Sequence, residues 1–550
     1  MKRLLSVIMA CVLLMGLASC AISESELNYD QAIEKLNALM GKIDVNKPVH
    51  QPDPSWIGNE GSINDLPPID KYPLSVEGRA EINVEIFSST EKSNVKNDSW
   101  MEVMAKQFNA AGHTVNGRTV AVSVRPIASG LALDYIRTRT YVPPAYTPAN
   151  ELWGDMIKST GVDIELVEKR LTGNTAGVLL RKDIYDTYSA KYGEVTMEKV
   201  VEAVLNGDVV LGHTDPNVSS TGLNILAREL KALDPNNPFS STAVEKFRLF
   251  QSLIPPASPT TAEMIKVAEK GILNAMIMES QAWSTEPKVS DWKFTPMGVR
   301  HDSPMYVLEG ISEDQRTALK LFVDHCKNGQ NSAGSFGFNK LDEFGGENLG
   351  FSGKELFSVQ EFWKENKDGG DPVVSVFVID VSGSMDGTKI VETKKALRNS
   401  MQYINESNYV GLVSYSSPDQ IAADVPISQF DAAQQALFAG AVNDLKIGGS
   451  TATNSAIVVA LDMLMKAKEA IPNAKLRVLV FSDGEQMGGL SLSSILGIVN
   501  GLAVPIYGIG FESPDLRDLQ TLADINEGYT INADSEDVAY KLRGLFTKEL

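Results

Sequence analysis

Three short stretches carry oxygen donors at close spacing. Asp380-Val381-Ser382-Gly383-Ser384 sets a carboxylate and two hydroxyls two residues apart. In an extended turn all three project to one side, and Gly383 lets the backbone fold closely around them. Gly448-Gly449-Ser450-Thr451-Ala452-Thr453 offers Thr451 from a glycine-rich loop, and Asp483-Gly484-Glu485 adds a second carboxylate. Hard oxygen donors of this kind suit Mg2+, with Mn2+ or Ca2+ as the other cations such donors accept. A site built from such a set is expected to bind ligands and not to do chemistry. One DxSxS stretch alone would say little, because Ser and Asp crowd ordinary turns for local reasons.

The elements that must position these donors are legible around them. Val373–Ile379 is almost all β-branched or aromatic, which suits a strand buried on both faces of a parallel sheet, and it runs directly into Asp380. Leu476–Ser482 (LRVLVFS) is a second such strand, ending at Asp483. Further strands are expected at Val410–Tyr415 and Val504–Ile509, with Ala423–Ile427 as a short antiparallel edge. Helices are expected at Lys389–Ile404, Thr453–Ala470 and Leu516–Ile525. This alternation predicts an α/β fold, a doubly wound, mainly parallel sheet of Rossmann type. Its ligand crevice lies outside the carboxyl ends of the strands, where the three stretches fall.

In this order, DVSGS, GGSTAT and FSDGE resemble the metal-ion-dependent adhesion site of von Willebrand factor A domains, over 372–550. The resemblance implies that Ser382, Ser384 and Thr451 ligate the ion directly, while Asp380 and Asp483 act mainly through water. A first shell poor in carboxylates leaves the cation under-neutralised, with a position for an Asp or Glu of a protein partner. With the site placed at a sheet edge, Asp380→Ala is expected to remove the ion and leave the fold largely intact.

A different α/β pattern precedes this domain. Ile82–Phe87 and Thr119–Pro126 read as strands, and Ser99–Ala111, Ala149–Ser159, Met197–Asn206 and Leu223–Leu230 as helices. SSTEK after the first strand, GHTDPNVSSTG, and SEDQRTALKLFVDHCKNGQNSAGSFGF together resemble the extracellular solute-binding proteins of two-lobed type, over 75–345. The resemblance implies a periplasmic-binding-protein-like domain whose cleft takes a small polar solute. Its candidate contacts are Ser88, Ser89, Thr90, Ser129, Thr214, Asp215, Ser219 and Ser220. Each of these could instead merely cap the helix that follows it. With no basic residue counted beside these hydroxyls, no specific anion follows.

The N-terminus combines a basic Met1-Lys2-Arg3, an apolar Leu4–Leu14 and Leu17-Ala18-Ser19-Cys20. The apolar run fits a secretory signal and is too short to span a bilayer comfortably. The last four residues resemble a bacterial lipobox. That implies a lipoprotein signal peptide at 1–19, lipidation at Cys20 and an extracytoplasmic place on the bacterial cell envelope. Residues 20–74 are expected to form an amphipathic helix around Leu27–Ile43 and then a proline-rich tether, with Trp56 docking on a neighbouring domain. Residues 346–371 are expected to connect the two domains.

Composition narrows the function. The 550-residue length calls for more than one core. A net charge of −20 argues against nucleic-acid binding and against electrostatic adhesion to anionic lipid, and with no later stretch long and apolar enough to span a membrane, lipid would be the only anchor. Of the three cysteines, Cys11 falls in the leader and Cys20 at the lipobox, and the amphipathic setting of Cys326 marks it as a buried apolar residue. The five histidines show no HExxH spacing, and no GxSxG elbow or P-loop occurs. The expectation is a binding protein and not an enzyme: either a surface lipoprotein that engages a protein partner through Mg2+, or a solute receptor with the metal-site domain as accessory.

Overall fold

The first described helix, Tyr29–Met40, starts from a reciprocal cap. The Asn28 side chain accepts the Gln31 N–H, and the Gln31 side chain accepts the Asn28 N–H. A short strand, β1 (Val45–Asn46), follows. The computed structural model describes residues 27–56, 65–96, 98–258, 260–484, 486–512 and 515–550. Residues 1–19, expected as a leader, together with Cys20, Glu485 and the side chain of Trp56, lie outside what is described. The chain divides into two units. One joins the N-terminal residues up to Asp65 with Asp371–Lys548 and Leu550, and the other is Leu66–Gly370 with Glu549.

The unit Leu66–Gly370 is built on two sheets. Strands β2 (Ile82–Ser88), β3 (Thr114–Val115), β4 (Arg118–Pro126), β5 (Ala145–Thr147) and β6 (Ile164–Glu168) belong to the first. The chain then passes to a second sheet, made of β7 (Thr175–Leu180), β8 (Leu211–Gly212), β9 (Ala275–Glu279) and β10 (Lys293–Arg300), and returns to the first as β11 (Met305–Leu308). The sheet orders are β3-β4-β2-β5-β11-β6 and β10-β7-β9-β8. Each sheet carries its own helices and its own apolar cluster, which makes two α/β lobes. The two crossings run side by side. Leu171 N–H donates to Asp302 O at 3.1 Å, and His301 N–H donates to Asn174 O at 3.0 Å. Helix Glu313–Asn328 lays Ala318, Leu319, Phe322, Val323 and Cys326 into the first core. Cys326 is fully enclosed there, and burial pushes its thiol well up, which removes it as a nucleophile.

Residues 346–371 are not a free connection. Helix Gly353–Asn366 has apolar residues at 356, 359, 362 and 363, a helical stripe that needs a surface to cover it. Phe362 meets Phe247 edge-on at 5.1 Å, Gln360 Nε2 donates to Pro216 O at 2.9 Å, and a Cβ on Gly353 would fall 1.9 Å from Asp155 O. The helix therefore belongs to the two-lobed unit.

In the other unit β12 (Val373–Asp380) is buried at every position. It is followed by β13 (Tyr409–Tyr415), β14 (Ile421–Gln429), β15 (Lys475–Ser482), β16 (Ile506–Phe511) and β17 (Thr530–Ala533). The sheet order is β1-β14-β13-β12-β15-β16-β17, parallel throughout except between β13 and β14. Alternate residues of β12 feed opposite cores: Phe377 and Ile379 enter one, and Val374, Val376 and Val378 the other. Two covered faces explain why the strand has no polar alternation.

The N-terminal segment corrects two expectations. Ala32, Leu36 and Leu39 join the second of these cores, and Ala32 lies so close to the helix Leu492–Leu502 that a Cβ on Gly501 would come within 2.7 Å of it. β1 then pairs parallel with β14, so β14 is antiparallel to β13 as expected but is not the edge of the sheet. Beyond β1, His50 lies between Asp424 (3.1 Å) and Asp444 (2.9 Å), and Asp53 N–H donates to Ala436 O at 2.8 Å. Residues 27–56 thus form part of this unit and not a tether. The amphipathic helix needed an apolar partner, and the sheet domain supplies one.

Candidate metal site and solute cleft

β12, β13 and β15 end together at Asp380, Tyr415 and Ser482. Asp380 is fully buried, which contradicts its expected place at a sheet edge: it terminates the central strand. Its Oδ1 accepts the Ser382 N–H at 2.8 Å, and its Oδ2 accepts Ser482 Oγ–H at 2.7 Å and Tyr415 O–H at 3.3 Å. Burial pushes its carboxyl above the usual range, hydrogen bonds from Ser382 and Ser482 work against that, and the charge of Asp483 adds to the rise. With both oxygens engaged, Asp380 is first a strut that fixes the loop.

The other donors converge in front of it. Ser382 Oγ and Ser384 Oγ lie 3.1 Å apart, and Ser384 Oγ donates to Asp483 Oδ1 at 2.7 Å. Ser382, Thr451 and Asp483 are buried, and Ser384 is exposed. Backbone bonds tie the loops together: Gly448 N–H to Val381 O at 2.7 Å and Gly383 N–H to Gly449 O at 3.1 Å. The Thr451 carbonyl accepts the N–H groups of Met487 (2.8 Å) and Gly488 (3.0 Å), tying the glycine-rich loop to the chain beyond Asp483. The five residues singled out in the sequence thus fall in one loop cluster.

The donor chemistry fits a small hard cation. Among the described residues no group of three or more His, Cys, Asp or Glu is placed to hold a metal, so softer or carboxylate-rich coordination finds no site. Here two carboxylates are supplemented by hydroxyls, a composition that leaves room for the waters Mg2+ retains. Sequence reasoning missed Lys389. It stands in the first turn of helix Thr388–Ser400, and its Nζ donates to Asp483 Oδ2 at 2.5 Å, a cation already applied to a proposed ligand.

In the two-lobed unit a cavity of about 340 Å3 opens between elements of both sheets. Ser89, Thr90, Glu91 and Ser129 line it from segments following β2 and β4, and Thr214, Ser219, Ser220, Thr221 and Glu279 from segments around β8 and β9. Six of the eight expected contacts therefore face it. Ser88 and Asp215 do not: the Ser88 hydroxyl is engaged with Ser93, and Asp215 Oδ1 accepts Asn217 N–H at 2.8 Å to close a turn. The capping alternative holds for Ser219, which accepts Gly222 N–H at 3.2 Å while still lining the cavity. Ser220 Oγ reaches Ser129 Oγ at 3.1 Å and accepts Trp153 Nε1–H at 2.8 Å.

Charged groups behind these hydroxyls were not foreseen. Lys92 is wholly buried and donates to Ser89 Oγ, to Glu91 Oε1 at 3.0 Å and to Pro148 O at 3.2 Å. Burial pulls its ammonium below the usual range, with Glu91 working against that. Glu279 accepts His301 Nδ1–H at 2.6 Å, Thr221 Oγ1–H at 3.2 Å and Asn174 Nδ2–H at 2.8 Å. Burial pushes its carboxyl up, but His301, Asn174 and Thr221 outweigh that and hold it below the usual range. SSTEK contained the signal for Glu91 and Lys92. Glu279 and His301 are far apart in sequence, and only the chain crossings bring them together.

The class defined by these features is a chain with a two-lobed α/β unit and a doubly wound sheet domain bearing an oxygen-donor loop cluster. Residues 376–546 match the family model of the von Willebrand factor type A domain, and that stretch is such a domain. The inter-alpha-trypsin inhibitor heavy chain H1 of Sus scrofa is 27% identical over 205 residues, 35% of this chain and 21% of that protein. The chain thus spans about one fifth of the length of the curated relatives it matches. Among solved structures, a von Willebrand factor type A protein from Catenulispora acidiphila is 20% identical over 32% of this chain and 43% of its own, with a TM-score of 0.28. The periplasmic binding protein P5PA is 12% identical, with a TM-score of 0.39, over 52% of this chain and 99% of its own.

Proposed function

We propose that the chain binds and does not catalyse, and that its sheet domain engages a protein partner through a divalent cation. The observation that carries this reading is the convergence of Ser382, Ser384 and Asp483 oxygens beside an exposed Ser384 hydroxyl. Ser382, Ser384 and Thr451 would hold Mg2+, with Asp380 and Asp483 behind them. A bound Mg2+ would supply a coordination position for a partner's Asp or Glu carboxylate. The chain's own part is to keep the loops rigid: Asp380 fixes Ser382, and the glycine-rich loop is tied to Val381 and Gly383. Cys20 as a lipid anchor would place this surface on the outside of a bacterial cell membrane. Among the described residues no helix is long and apolar enough to cross a membrane.

The test uses Ser384→Ala, since Asp380→Ala would strip three donors of their acceptor inside the core. Calorimetric titration of Mg2+ into the wild-type chain should show one site, and Ser384→Ala should weaken it without lowering thermal stability. Partner capture should disappear with chelator and with Ser384→Ala alike. No Mg2+ uptake by the wild type would sink this reading. Cys20→Ser should release the protein from membranes in cell fractionation, and undiminished retention would remove the anchor.

A second reading rests on a separate observation, the polar cavity shared by the two lobes. Its size lies at the lower end of small-molecule sites. A solute receptor would use that cavity, and a bound solute would raise the melting temperature by mass action.

A further inference from the structure

The charges around the cleft decide what class of solute it can take. An oxyanion needs donors, and three helices, Ser129–Arg137, Ser220–Leu233 and Thr261–Glu269, begin at its wall, as does the short helix Ser280–Thr285. A helix N-terminus supplies about half a positive charge. The nearest full cation, Lys92, has three N–H groups, and all three are spent on Ser89, Glu91 and Pro148. It has no donor left for a ligand and no exposure to one.

The other candidate cation is His301, and its hydrogen bonds settle its role. Val299 fixes the Asn224 amide from both ends, Val299 N–H to Oδ1 at 2.9 Å and Nδ2–H to Val299 O at 2.9 Å. The same Nδ2 faces His301 Nε2 at 3.0 Å, so Nε2 accepts and the ring proton sits on Nδ1, donated to Glu279. His301 is therefore committed to Glu279 and Asn224 and offers a ligand no donor. Glu91 and Glu279 both line the cavity, and neither Lys92 nor His301 has a donor left for a ligand. Glu91 Oε1 takes Ser89 and Lys92, while its Oε2 has no hydrogen-bond partner among the described residues.

We propose that the cleft binds a small solute carrying a protonated amine, with Glu91 as its counter-charge and the cleft hydroxyls as further acceptors. The proposal rests on the receptor reading above and goes beyond it by naming the ligand class. Each helix start carries only a partial charge and sits on its own element, whereas Glu91 sets a full carboxylate with an unpartnered oxygen into the cavity lining.

The test titrates the full chain by calorimetry with single probes: putrescine, spermidine, choline and arginine as amines, and phosphate, sulfate and molybdate as oxyanions. At least one amine should bind saturably, and the oxyanions should not. Glu91→Gln should weaken the amine by about tenfold or more, the scale of a charge-assisted hydrogen bond. Because Glu91 also partners buried Lys92, Thr90→Trp gives a second arm. It blocks the cavity from an exposed position and should abolish amine binding with the fold retained. Oxyanion binding that Thr90→Trp abolishes would overturn the ligand class and leave the receptor reading standing. Amine binding unaffected by Thr90→Trp would overturn the site. No saturable binding of any probe would overturn both.

Discussion

Glu229 is enclosed on helix Ser220–Leu233, and its Oε1 finds no hydrogen-bond donor among the described residues. Burial alone pushes its carboxyl up from 4.5 to about 8. A carboxyl raised in the folded state keeps its proton while the unfolded chain loses one. Stability therefore falls as pH rises from the unfolded value toward the folded one, and the loss is complete above about 8. Denaturant melts of the full chain should show the two-lobed unit weaker at pH 9 than at pH 5 by a few kcal/mol, and Glu229→Gln should flatten that difference. An unchanged pH profile in the variant would place the effect elsewhere. At the metal site, Lys389 and a bound cation would compete for Asp483. Lys389→Met should tighten Mg2+ several-fold by calorimetry, since like charges at such range repel even when screened. Affinity equal to wild type would show that the ammonium simply swings aside. Asp483 and Ser384 were legible as candidate ligands from their motif, whereas Lys389 became visible only when helix Thr388–Ser400 set it against Asp483.

Among the elements, helix Tyr29–Met40 was legible and its purpose was not. Its apolar stripe and cap are local properties, but a stripe does not say which surface will cover it. In the fold it lies on helices Thr453–Ala470 and Leu492–Leu502, with Leu36 almost wholly buried. Leu36→Ala should destabilise the von Willebrand factor A unit by about 2–5 kcal/mol, the cost of a large-to-small core change, read from urea unfolding. A change below ~0.5 kcal/mol, the range of surface substitutions, would return this helix to the status of a tether. Helix Gly353–Asn366 repeats the lesson. Its glycine-rich flanks looked like a connection, while Leu356, Val359 and Trp363 sink into the two-lobed unit.

At the scale of the whole molecule, the two-lobed unit is continuous in sequence apart from one residue, and the other unit is assembled from both ends of the chain. A fragment spanning 66–370 should therefore unfold in one cooperative transition on its own. A fragment spanning 371–550 should be less stable than the same fragment supplied with residues 27–56, because β14 then has its neighbour and the second core its helix. Equal thermal melts of the sheet fragment with and without the N-terminal peptide would contradict this.

The sequence by itself determined the central strands. Val373–Asp380 and Leu476–Ser482 have no polar alternation, and only a doubly covered parallel sheet tolerates that. It determined as well which loops carry the oxygen donors, because a strand that ends in DVSGS must present that turn at the sheet's carboxyl end. Tertiary structure decided what local pattern cannot carry. The burial of Asp380 depends on Tyr415 and Ser482 arriving from neighbouring strands. The pairing of Glu279 with His301 depends on two chain crossings lying side by side. Burial and charge pairing are properties of residues far apart in sequence, so they are settled only when the chain has closed.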